Sequence, residues 1–104
     1  YITRHYVTLN PPGSGTALVL LIARATVFRD TADAIRLTFR VGNEYTNDEE
    51  AYSASAQAET VTIARVVAVE AGTYHDFRLC YKSGNGGRVT IYRSCFYVID
   101  LGRL

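Results

Sequence analysis

Methionine and tryptophan are absent from the 104 residues, and cysteine, proline and histidine occur only twice each. Two cysteines cannot make the multi-bridge framework that holds many small secreted domains. No CxxC, HExxH, GxGxxG or P-loop pattern occurs, so the common zinc, dinucleotide and nucleotide sites have no signature here. Neither sign of charge dominates. With 11 basic and 10 acidic residues the net charge is +1, and without a long-range field neither nucleic acid nor an anionic membrane is an expected partner. The apolar run within residues 16–25 is about half the roughly 20 residues a bilayer-spanning helix needs, and Arg24 and Arg29 interrupt or follow it. No membrane insertion and no signal peptide are expected. The opening at Tyr1 in place of Met reads as a piece of a longer or processed chain.

What is present is β-sheet chemistry. Hydrophobic residues make up 48% of the chain, enough for one core, and the length suits one domain over 1–104. Runs rich in Val, Ile, Thr and Tyr predict strands over 1–9, 16–29, 34–41, 52–58, 59–70, 73–82 and 88–104. Gly and Pro turns separate them, and no segment has helical period. Uninterrupted apolar character over 18–22 predicts a central position for the second strand. In the third, Ile35, Leu37, Phe39 and Val41 alternate with Arg36, Thr38 and Arg40, the signature of a half-buried strand. About seven strands without helix predict an all-β, compact antiparallel β-sandwich.

The last strand is the most informative. Val89, Ile91, Cys95, Tyr97 and Ile99 share one parity and Tyr92, Phe96 and Val98 the other, so a regular strand here needs cover on both faces. One cover is the core, and the other is expected to be further copies of the chain, since an open apolar stripe is rare on a monomer. Arg93, Cys95, Tyr97 and Ile99 are the expected interface residues. Asn85 and Gly86 suggest a two-residue hairpin turn that would set Cys95 opposite Asp76. Cys80 would then lie on the order of 13 Å away, beyond the disulfide limit near 7 Å, and both cysteines are expected to be free thiols.

Of three stretches, NPPGSGTALVLLIARATVF, TVTIARVVAVEAGTYHDFRL and YRSCFYVIDLG, the second and third resemble the compact jelly roll of tumour-necrosis-factor and complement-head domains, in particular the type at the tips of viral and bacteriophage fibres; the resemblance covers the C-terminal half well and the N-terminal half loosely. The resemblance implies a homotrimer in which the sheet containing the first and last strands surrounds a threefold axis. It also implies that the last two strands lie in facing sheets, making 83–87 a corner in place of a hairpin. The implied function is a receptor-binding and trimerisation head on a virion surface, fibre or tail, at the C-terminal end of a fibre-like chain, with a host-cell protein or glycan as partner. A secreted ligand of the same fold or a carbohydrate-binding module is the alternative, with an extracellular location.

Candidate sites are few. His75 and Asp76 are adjacent, and neighbours on a strand point to opposite faces, so no acid–base pair and no enzymatic activity are expected. Asp48, Glu49 and Glu50, with Asp30 or Asp33, offer oxygen ligands for calcium but lack the alternating spacing of a calcium loop and read as a solvated turn. No cofactor or metal is expected. The long polar segment is the first place to look for receptor contact, through Asn43, Tyr45, Asn47, Asp48, Glu49, Glu50 and Tyr52, because loops on a rigid scaffold carry recognition. Arg36 and Arg40 form a shallow basic stripe, read as solubility charge.

Overall fold

The computed structural model describes residues 1–29, 33–46, 50–54, 59–83 and 89–104, with 29, 33, 34, 50–54 and 89 described by their backbone alone. Among the described residues there are eight strands: β1 (Ile2–Leu9), β2 (Thr16–Arg29), β3 (Asp33–Val41), β4 (Glu44–Tyr45), β5 (Glu50–Ala54), β6 (Glu59–Glu70), β7 (His75–Ser83) and β8 (Val89–Arg103). They form two antiparallel sheets, one with the order β1-β7-β3-β4 and β5 also paired to β3, the other with the order β6-β2-β8. The sheets face each other as a β-sandwich. β2 is the middle strand of its sheet, as its continuous apolar run predicts.

β4 and β5 revise the expected order of strands. The segment read as one long loop over 42–51 holds β4 and the start of β5, and the strand expected over 52–58 begins two residues earlier, at Glu50, with 55–58 outside the described residues. Its polar residues concealed short pairings with β3, Arg40 opposite Tyr45 and Leu37 opposite Glu50.

The core forms where one parity from each sheet meets. Ala17, Val19, Leu21, Ala23, Ala25 and Val27 of β2 and Val61, Ile63 and Val69 of β6 face Ile35, Leu37 and Phe39 of β3 and Phe77 and Leu79 of β7. Period-2 alternation puts each set on one face, and apolar burial at about 25 cal/mol per Å² makes that face the inner one. Phe39 and Phe96 stack across the sandwich with ring centroids 5.7 Å apart.

Apart from β3, β4 and β5, consecutive strands lie in opposite sheets. The hairpin expected at Asn85 and Gly86 is therefore corrected. β7 pairs with β1 and β3, and β8 pairs with β2. Cys95 lies opposite Arg24 in β2, and Asp76 opposite Thr8 in β1. Local turn chemistry was outweighed by the need of each strand to find a separate sheet. Both cysteines are free, Cys80 buried and Cys95 partly so. The expected sharing of a sheet by the first and last strands is also corrected, since β1 and β8 belong to different sheets.

At one end the chain ties itself together. Gly72 N–H donates to Pro11 O (2.7 Å), Ala71 N–H to Gly15 O and Leu104 N–H to Thr16 O (both 2.9 Å). Arg103 Nε donates to Pro12 O at 2.7 Å, and both Nη atoms donate to the two oxygens of Asp100 at 2.8 Å. The Gly102 amide adds a third bond to Asp100.

Candidate functional site

Two outer faces remain after the core is made, and they differ in chemistry. On the three-stranded sheet, register sets Val66, Leu20 and Ile99 in one row and Ala64, Ile22 and Tyr97 in the next. Thr62, Arg24 and Cys95 make a third row, and Thr60, Thr26 and Arg93 a fourth. The face is thus apolar at one end and polar, with two arginines, at the other. Tyr97 is 58% exposed, Leu101 52%, Val66 51% and Ile99 44%, an open patch on the order of several hundred Å². A shallow depression of about 480 Å³ lies over Arg24, Thr26, Thr60, Arg93, Ser94 and Cys95 at the polar end.

A bulge in β8 places these side chains. Ile91 pairs with Val27 and Arg93 with Thr26, so Tyr92 has no residue opposite it. The extra residue shifts the parity. Ile91, Phe96 and Val98 then pack on the core, while Tyr92, Tyr97 and Ile99 stand outward. The two-sided apolar pattern read from the sequence is real, but Ile91 belongs to the inner set and not with Tyr97. A second irregularity, at Leu101, returns Arg103 to the row of Ala17. All four expected interface residues, Arg93, Cys95, Tyr97 and Ile99, share the outer face of the three-stranded sheet.

On the five-stranded sheet, register assembles a row across four strands: Tyr6 of β1, Arg78 of β7, Arg40 of β3 and Tyr45 of β4. Arg78 lies over the Tyr6 ring at 4.9 Å and Arg40 over the Tyr45 ring at 5.6 Å, contacts in cation–π range. Arg40 Nη2 donates to Asn43 Oδ1 (3.2 Å) and the Tyr6 hydroxyl to Asp76 Oδ1 (2.9 Å). One step along the face, Cys80 pairs with both Thr3 and Thr38. Lys82, opposite Arg36 in the row beyond, sits 4.3 Å from the Tyr1 ring, which packs tilted against the Tyr45 ring with centroids 4.7 Å apart. The N-terminal residue thus reaches across the face, and on the same outer parity Thr38, bonded to Thr46, and Cys80, beside Thr3, are buried.

Of the expected receptor-contact residues, Asn43 and Tyr45 lie together beside Arg40. Asn47, Asp48 and Glu49 lie outside the described residues, and Glu50 and Tyr52 are placed on β5 by backbone alone. The calcium reading of Asp48, Glu49 and Asp30 therefore also falls outside the described residues. His75 bonds to Glu70 O and Thr73 Oγ1, and Asp76 to Tyr6, so the two adjacent residues serve different faces. The sequence alone reads Arg36 and Arg40 as a shallow stripe of solubility charge on one strand. The partners Arg78 and Tyr6 come from strands distant along the chain, and only the strand register reveals them. Comparison with family models, curated proteins and solved structures finds no match to this chain.

Proposed function

We propose that this domain is the trimeric receptor-binding and trimerisation head of a viral or bacteriophage fibre, displayed on the virion surface. The observation that carries the reading is the uncovered apolar patch on the three-stranded sheet, centred on Tyr97, Ile99, Leu20 and Val66. An exposed patch of this size ordinarily marks an interaction site, and closed rotational symmetry lets one patch cover another. The alternation of consecutive strands between sheets supports a jelly-roll connectivity for the sandwich.

In this reading the apolar end of the face lies at the threefold axis. Arg24 and Arg93 lie towards the rim, because converging arginines would repel at the centre. Three copies present each receptor site threefold, and avidity multiplies a modest affinity. Light scattering after gel filtration tests it. The expected mass is three times the 11.5 kDa of one chain, and a monomer at micromolar concentration overturns the proposal.

A further inference from the structure

We infer that the outer face of the five-stranded sheet binds a saccharide that carries a carboxylate, through the row formed by Tyr6, Arg78, Arg40 and Tyr45. Arg40 and Arg78 are register partners, so their Cα atoms are about 5 Å apart. Like charges placed directly opposite each other destabilise a sheet. Among the described residues no carboxylate makes an ion pair with either one. Asp76, two residues from Arg78 on the same face, accepts from the Tyr6 hydroxyl. Each Nε is shielded from water and donates to nothing, so neither guanidinium has its full set of hydrogen bonds.

The chemistry of the row selects the ligand. Guanidinium groups match a planar carboxylate in geometry as well as charge, and the register sets the two on adjacent strands, each guanidinium drawn over the tyrosine on its outer side. The tyrosine rings that hold the arginines in place are themselves 53% and 41% exposed, for Tyr6 and Tyr45 respectively. Tyr6 offers apolar surface to the C–H face of a sugar, while Tyr45, whose ring already meets Arg40 and Tyr1, adds its hydroxyl and Asn43 its amide as hydrogen-bonding partners. The neighbouring row between the charged ones is Thr3, Cys80 and Thr38, so the cations do not form a continuous track for successive phosphates. With a net charge of +1 the chain has no field to gather a polyanion. A compact ligand with a single charge fits better than a nucleic acid.

This inference rests on the receptor-binding reading for its biological role, while the binding itself depends on the five-stranded sheet alone. Titration of the isotope-labelled domain with sialyllactose, followed by NMR, tests it, with lactose and a thymidine oligonucleotide as comparison probes. Expected are shifts confined to Tyr6, Asn43, Tyr45, Arg40 and Arg78, at a dissociation constant on the order of 1 mM per site. Lactose should bind at least tenfold more weakly. R78Q and R40Q should each abolish the shifts while leaving the melting temperature equal or higher, because a like-charge pair is removed; R24Q, on the opposite sheet, should bind as the native chain does. Absence of shifts with sialyllactose overturns the inference, as does binding that survives R78Q or oligonucleotide binding tighter than that of the saccharide. A trimer that fails to bind sialyllactose would overturn this site and leave the trimeric reading intact, whereas a monomer that binds it would do the reverse.

Discussion

Phe96 and Tyr97 are neighbours on β8 that point to opposite sides of the three-stranded sheet, Phe96 to its stack on Phe39 and Tyr97 to solvent. A single step along the chain thus separates a residue that holds the sandwich together from one that the proposed trimer would bury.

Substitutions at the two positions are expected to separate folding from assembly. F96A removes a ring from the core and the cross-sandwich stack, and about 3 kcal/mol of stability should be lost. The measurement is urea denaturation, with Phe39 neighbours reporting by NMR. Y97D puts a charge on the outer face. In a trimer that charge would be buried without a partner, a cost of several kcal/mol, so dissociation at micromolar concentration or loss of folding is expected. Unchanged mass and melting temperature in Y97D would show Tyr97 to face solvent in the assembly as well.

Much of the sandwich is legible in the sequence because period-2 alternation and Gly or Pro turns act locally. The bounds of β2 and β6 agree with the apolar runs that predict them, and the alternation over 35–41 identifies the core face of β3. Three features are not legible, for separate physical reasons. The bulge at Tyr92 breaks parity by one residue, and a strict alternation rule assigns Ile91 to the wrong face. The Asn85 and Gly86 pair has hairpin chemistry, but β7 and β8 gain more by completing two different sheets. The row of Tyr6, Arg78, Arg40 and Tyr45 depends on register among four strands, and register between strands distant along the chain has no local signal.

Gly72 is the joint where the 71–74 turn meets the 10–15 turn. Its φ is +86°, and a Cβ there would lie 2.8 Å from Gly13 O, a backbone atom. The amide of the same residue donates to Pro11 O, so the two turns cannot simply move apart. G72A is expected to cost roughly 1–3 kcal/mol from the left-handed backbone, with the contact to Gly13 adding to it. For a domain of this size each kcal/mol corresponds to a fall of about 4–8 °C in melting temperature. G15A is the control: Gly15 also has positive φ (+83°), but nothing lies within 4 Å of its Cβ position. The difference in melting temperature between the two variants therefore measures the turn-to-turn contact, and calorimetry should find G72A the less stable.

The pair of Asp100 and Arg103 gives the fold an acid-sensitive closure. The hydrogen bonds from Arg103, then that from the Gly102 amide, hold the Asp100 carboxyl down to about 2, against 3.8 for a free aspartate. A carboxyl whose pKa is lower in the folded chain than in the unfolded one contributes stability that is complete above the unfolded value and disappears as pH falls through the folded value. The window therefore runs from about 4 down to about 2, and salt should narrow the effect because the pair is at the surface. D100N should remove this part of the pH dependence while leaving the core intact. Arg103 would lose its bidentate partner but keep its bond to Pro12 O. Urea midpoints measured for the native chain and D100N from pH 5 to pH 2 are expected to converge at the acid end. Parallel curves across that window would show that Asp100 carries no folding-linked proton and that Pro12 alone anchors Arg103.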